Sequence, residues 1–177
     1  MEDKIIKAKE VILNGGVILY PTDTIWGIGC SAIIESAIKK IFEIKKRDNN
    51  KLLISLVSSI EMLERYVESV PEYALEYLYD ESPTTIIYPK VKGLNHILYG
   101  KNESIAIRLV KDNFCKALID EINIPLISTS ANISGNPFPK KFKEIDKRII
   151  NQVDYVVNLN DSNLINSKPS RIIKVSL

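Results

Sequence analysis

The residues best suited to chemistry fall into four polar clusters. Residues 125–137 read Pro-Leu-Ile-Ser-Thr-Ser-Ala-Asn-Ile-Ser-Gly-Asn-Pro. A short apolar strand (125–127) gives way there to Ser128, Thr129, Ser130, Asn132 and Ser134, arranged around a tight turn that Gly135 and Pro137 close. Hydroxyls, amides and closely spaced backbone N–H groups of this kind suit an anionic ligand, although the same residue types also cap their own backbone in ordinary loops. A second cluster is cationic: Lys39, Lys40, Lys45, Lys46, Arg47 and Lys51 stand against Glu43 and Asp48. Such a stretch reads as a focused anion site, an RNA-facing surface or the basic last turn of a helix. Third, Pro21-Thr22-Asp23-Thr24 directly follows an apolar strand, where α/β sheets place ligands; a simple Asx turn is the plainer reading. The fourth is Ser104-Ile-Ala-Ile-Arg108. A guanidinium in an apolar strand needs a carboxylate or an anionic ligand beside it, and a ligand is the expectation for Arg108.

Cations and hydroxyls without an evident base or nucleophile point to phosphoryl or nucleotidyl transfer, in which the protein mainly positions reactants and stabilises charge. The sequence contains no Walker motif, no Gly-x-Gly-x-x-Gly and no paired carboxylates. His96 is its single histidine, which excludes a multi-histidine metal site; without a Gly-x-Ser-x-Gly elbow it gives poor support to a catalytic triad. Cys30 and Cys115 lack metal-ligand spacing and read as plain thiols.

The elements that must carry these clusters interleave. Apolar periodicity predicts helices over residues 3–14, 35–46, 59–69, 71–80 and 112–121, and a basic amphipathic one over 140–150. Strands are expected at 17–20, 52–57, 84–88, 104–110, 125–127, 153–159 and 171–175, with loops at 90–103 and 160–170. Between 25 and 32, Gly27 and Gly29 suggest close backbone packing and Trp26 a core anchor. Helix and strand alternate without repeats or long linkers, so residues 1–177 are expected to form a single α/β domain. The chain is 45% apolar and 26% charged, a composition that excludes disorder. No apolar run approaches bilayer length and the N-terminus has no export signal, so a cytoplasmic protein away from membranes is expected. A net charge of +2 does not by itself argue for nucleic acid.

Taken in order, the motifs resemble the YrdC/TsaC family of threonylcarbamoyl-adenylate synthases. The resemblance is carried by GGVILYPTDTIWGIGC (15–30), Lys45-x-Arg47-x-x-x-Lys51, Ser104-Ile-Ala-Ile-Arg108, Ser128–Pro137 and a fading Pro169-Ser170. It implies an open twisted sheet of mixed strands with flanking helices and a concave basic face. It also implies condensation of L-threonine, bicarbonate and ATP into threonylcarbamoyl-AMP and pyrophosphate, feeding the threonylcarbamoyl modification of tRNA through a downstream transferase machinery. Matched motif by motif, Thr24, Arg108 and Ser128 would hold threonine. ATP would be held by Lys45, Arg47, Lys51, Ser104, Thr129, Ser130 and Asn132. Lys45 and Arg47 would be the catalytic cations, neutralising the leaving pyrophosphate, and their loss should cost ATP binding with little effect on stability. Arg108 would fork onto the amino acid's carboxylate. Mg²⁺ would arrive with the nucleotide rather than in a protein cage. A carbamate formed from threonine and bicarbonate would be its own nucleophile, which accounts for the missing base. The departures from the family pattern lie at the edges of the expected nucleotide site: Ser82-Pro83-Thr84-Thr85, Leu52 directly after Lys51, and Arg171 after Pro169-Ser170. Longer relatives carry a further C-terminal domain that these 177 residues are expected to lack. The alternative is a non-catalytic module of the same fold that binds tRNA or double-stranded RNA through its basic surface.

Overall fold

The computed structural model describes residues 1–48, 52–100, 103–159 and 168–175. Helices and strands interleave as expected: α1 (Glu2–Leu13), β1 (Ile18–Pro21), β2 (Trp26–Ser31), α2 (Glu35–Lys45), β3 (Ile54–Val57), α3 (Ile60–Glu64), α4 (Glu72–Tyr79) and β4 (Thr84–Tyr88) make the first half. The second half holds β5 (Ile105–Leu109), α5 (Asn113–Ile122), β6 (Leu126–Ser130), α6 (Lys147–Ile150), β7 (Tyr155–Val156) and β8 (Arg171–Lys174). Among the described residues the strands form one mixed sheet in the order β7-β1-β2-β6-β3-β5-β4-β8.

Local chemistry sets the boundaries that matter. Ala8 and Ile12 give α1 a buried stripe, and Asn14 with Gly15 at φ +80° ends it, a left-handed stop that glycine takes without strain. β1 turns into β2 through Thr22, whose Oγ1 accepts from the backbone N–H groups of Thr24 (3.0 Å) and Ile25 (3.2 Å). At the end of α2, Lys46 adopts the left-handed conformation, with its N–H bonded to Glu43 O and that of Arg47 to Phe42 O. This reversal swings Arg47 off the helix axis. Asp112 caps α5 by accepting from Cys115 N at 2.7 Å, as N-cap aspartates do.

Register fixes which residues share a face. β6 runs antiparallel to both β2 and β3, and β3 runs parallel to β5. The cross-strand row Ile86–Ile107–Ser55–Ile127–Cys30 is almost wholly apolar and buried. Each such isoleucine contributes about 2 kcal/mol of burial. The rows on the opposite face are different. One reads Ile18–Gly29–Ser128–Ile54–Ala106–Ile87, the next Leu126–Leu56–Arg108–Thr85–Ile172. Small and polar residues interrupt both.

Several expectations need correction. Residues 26–31, read only as close-packed backbone, are strand β2. Ser128, Thr129 and Ser130 belong to β6, not to a turn; the turn begins after them, because hydrogen bonds to two neighbouring strands hold them extended. The basic helix expected at 140–150 is a 3₁₀ turn (Phe142–Glu144) followed by the four-residue α6. The helix expected at 59–69 shrinks to Ile60–Glu64, and the strand at 153–159 to Tyr155–Val156. Lys51 and the loop residues 160–167 lie outside the described residues.

Gly29 tests this packing. A Cβ there would press into Ile127 O and lie 3.0 Å from the Tyr20 ring and 3.1 Å from its hydroxyl. Gly29→Ala should therefore destabilise by about 2–3 kcal/mol in urea titration; a loss below about 0.5 kcal/mol would contradict the register.

Candidate functional site

A cavity of about 370 Å³ opens on the polar face of the sheet, within the range of roughly 300–1,000 Å³ usual for small-molecule sites. Its floor is the pair of rows described above: Ile54, Leu56, Ala106, Arg108, Thr85, Ile87 and Ser128 all line it. The β1–β2 turn contributes Thr22 and Thr24, the end of α2 contributes Arg47, and the segment after β6 contributes Asn132, Asn136, Pro137 and Phe138. Pro169, Ser170 and Ile172 close the far side. Ser170 Oγ lies 2.7 Å from Thr85 Oγ1. Arg171 turns away from the cavity to pair with Asp80 at 2.8 Å and to stack on Tyr77. The unexpected arginine therefore anchors β8.

Segments distant in sequence thus meet in one hollow. Of the residues singled out from the sequence, Thr24, Arg47, Arg108, Ser128, Thr129, Ser130 and Asn132 border it. The pleat places Ser128 and Ser130 on the cavity face and Thr129, between them, on the other by register, although Thr129 also borders the space. Arg108 is only 4% exposed. Its Nη2 donates to Asp23 Oδ1 at 3.2 Å and its Nη1 makes a long 3.4 Å contact with Thr24 Oγ1. The carboxylate that the strand required is therefore Asp23, which corrects the expectation that Arg108 awaits a ligand for its charge. Arg47 donates to Leu52 O at 3.0 Å and is otherwise turned to the cavity wall.

Lys45 departs furthest from expectation. It is 1% exposed and does not line the cavity. Its ammonium donates to Asn132 O at 2.7 Å and to Ser130 O, with Asn132 Oδ1 at 3.4 Å, while Lys45 O accepts from Ser134 N at 2.9 Å. The lysine holds the turn behind β6 by both side chain and backbone. Burial, aided by the nearby charge of Arg47, pulls its pKa down to about 7. The Asn132 amide closes the same turn, donating to Ile133 O at 3.2 Å and Asn136 O at 2.6 Å. Ser104 is buried at the start of β5 and also stands outside the cavity wall.

Sequence reasoning passed over Asp23 as a charge partner, Thr85 and Ser170 as wall residues, and Tyr20. The Tyr20 hydroxyl, fully buried, lies 2.8 Å from Ser128 Oγ. The signal was Gly27-x-Gly29, a pair of glycines on one strand face that leaves room for a ring.

Comparison with known proteins matches the Sua5/YciO/YrdC family model, described as "Telomere recombination", over residues 10–176. The chain belongs to this family. A Methanocaldococcus jannaschii relative is 37% identical over 170 residues, covering 94% of this chain and 78% of that protein; it is named, provisionally, a threonylcarbamoyl-AMP synthase. A Haemophilus influenzae protein with that name is 38% identical over 132 residues, 72% of each chain. The Pyrococcus abyssi synthase is 30% identical over 159 residues, and this chain spans 47% of its length. Among solved structures, P. abyssi Sua5 superposes with a TM-score of 0.88 at 27% identity, over all of this chain and 54% of that one. Its complex with L-threonine gives 0.84, over 99% and 52%. E. coli YciO, at 23% identity and a TM-score of 0.82, shares the fold.

The lysine clamp has a measurable signature. In the unfolded chain Lys45 titrates near the ordinary lysine value, so between pH 7 and about 10 the unfolded state holds a proton that the folded state has released, and wild-type stability rises with pH. Lys45→Met should lower stability by about 2 kcal/mol at pH 9, where two carbonyls lose their donor. The loss should narrow as pH falls from about 10 toward 7 and level off below that, because over this window the wild type gives up stability as its unfolded chain takes on the lysine proton while methionine does not titrate. Urea unfolding at pH 6 and 9 reads this; a larger loss at pH 6 would contradict it.

Proposed function

We propose that this chain is a threonylcarbamoyl-AMP synthase that condenses L-threonine, bicarbonate and ATP. The observation that supports it most is the convergence of Arg47, Arg108, Thr24 and the β6 serines on one apolar-floored cavity, together with membership of a family whose relatives carry that activity in their names. In this reading residues 1–177 act as one domain. Thr24, Arg108 and Ser128 hold the amino acid: Asp23 engages one edge of the guanidinium, and a carboxylate displaces the long contact to Thr24. Arg47, Ser130 and Thr129 face the triphosphate, with Lys51 as a further cation and Asn132 shaping the loop. Lys45 acts from behind the wall. The carbamate oxygen attacks the α-phosphorus, the bond to the β-phosphate bridging oxygen breaks, and pyrophosphate leaves toward Arg47, whose charge offsets what accumulates there. Mg²⁺ accompanies the nucleotide. The product passes to a transferase acting on tRNA in the cytoplasm. Among the described residues no helix is long and apolar enough to cross a membrane.

Pure protein with ATP, bicarbonate and labelled threonine should release pyrophosphate only when all three are present. Tight tRNA binding without turnover would instead favour the RNA-binding reading, which Lys140, Lys141, Lys143 and Lys147, all exposed, keep open as an outcome. Arg108→Lys should raise KM for threonine about ten-fold while KM for ATP stays within about two-fold; equal rises would contradict the placement. Arg47→Ala should do the reverse, raising KM for ATP about ten-fold with threonine little changed.

A further inference from the structure

Tyr20 stands in β1, yet its hydroxyl serves β6, beyond the intervening strand. The ring crosses β2 over Gly29, where a Cβ would come within 3.0 Å of Cε1. The hydroxyl lies 2.8 Å from Ser128 Oγ. Tyr20 is fully buried, and burial drives its pKa well above the ordinary phenol value, so the group is neutral and carries one proton. Direction follows from counting donors. Were Ser128 to donate to Tyr20, the phenolic proton would be buried with no acceptor among the described residues, an arrangement that costs the full desolvation of a donor. Tyr20 therefore donates, and the proton of Ser128 remains for another acceptor. Ser128 lines the cavity, and its Oγ faces the same point above Gly27 as the methyl of Thr22, at 3.2 and 3.4 Å. That places it at the Thr22–Thr24 end of the hollow, the end that Arg108 reaches through its contact with Thr24 Oγ1.

We propose that Tyr20 is a positioning residue that fixes the Ser128 hydroxyl as a hydrogen-bond donor to an anionic oxygen of the amino-acid substrate, a carboxylate or the carbamate formed from it. The inference rests on placing the amino acid at Thr24, Arg108 and Ser128, as above. A serine hydroxyl that rotates freely can donate to or accept from a ligand. One that already accepts a phenol's proton is held as a donor, and the chain of two bonds strengthens the outer one. The arrangement also selects against a group at that position that can only donate, such as an ammonium, since the Ser128 proton would then meet no acceptor.

The test is a double-mutant cycle read by calorimetric binding of L-threonine to the intact chain. Tyr20→Phe keeps the ring over Gly29 and removes only the hydroxyl; it should weaken threonine about five- to ten-fold, leave ATP affinity within about two-fold, and shift the melting temperature by no more than a few degrees. Ser128→Ala should weaken threonine at least as much. If Tyr20 acts through Ser128, the double variant binds no more than about two-fold worse than Ser128→Ala alone. Losses that multiply, or equal losses for ATP and threonine, would overturn the proposal, because a purely structural tyrosine would weaken the site whether or not Ser128 is present. If Tyr20→Phe does not fold, Ser128→Ala still decides: an unchanged affinity for threonine overturns it. Wild-type protein that binds threonine but makes no threonylcarbamoyl-AMP would sink the synthase reading and leave this cycle interpretable. Wild-type protein that binds no threonine would sink both.

Discussion

The pleat of the central sheet is the constraint from which the site follows. Ser128, Gly29, Ala106 and Arg108 fall on one face because β6 pairs antiparallel with β2 and β3, and β3 pairs parallel with β5, in a fixed register. A slip of one residue in β6 would turn Ser128 and Ser130 into the apolar layer and bring Ile127 and Thr129 to the cavity. The buried row Ile86–Ile107–Ser55–Ile127–Cys30 opposes that slip, since it would carry Ile127 out of the core. The hydrophobic layer on one side of the sheet thus specifies the polar arrangement on the other.

The cations serve the cavity in three physically different ways. Arg108 is nearly inaccessible and would be costly alone; Asp23 neutralises it, so what the guanidinium presents to a ligand is direction rather than unbalanced charge. Arg47 reaches the wall because Lys46 takes a left-handed conformation and ends α2 one residue earlier. Lys45, two residues before Arg47, points the other way into backbone carbonyls. Its ammonium and its main chain together hold the 130–134 segment, which gives α2 a direct mechanical link to the residues that follow the β6 serines. A pKa near 7 makes that link sensitive to pH through stability, because burial works against the charged form while the carbonyls favour it.

Much of this was legible before any coordinates. The strands 17–20, 84–88 and 104–110 and the helices 3–14, 35–46 and 112–121 announced themselves through apolar periodicity and end signals, and at least one residue of each polar cluster borders the same cavity, though Lys45 and Ser104 do not. Three kinds of information were not local. β2 was missed because Gly27 and Gly29 lower strand propensity; their value lies in the room they leave for Tyr20 and the β6 backbone, which depends on which strands lie alongside. The Ser-Thr-Ser run looked like a turn because polar residues favour turns, yet two flanking strands override that preference. Lys45 and Arg47 carry the same charge two positions apart, and nothing in composition separates a buried clamp from a wall residue. That distinction arises only from the direction each leaves the end of α2.

A crystal structure of the chain with L-threonine and a non-hydrolysable ATP analogue tests the central claim most directly. The account predicts the threonine carboxylate within about 3 Å of both an Arg108 nitrogen and Ser128 Oγ, with the triphosphate on the Arg47 side of the same cavity. Threonine bound elsewhere, or a nucleotide whose phosphates leave Arg47 in solvent, would contradict it.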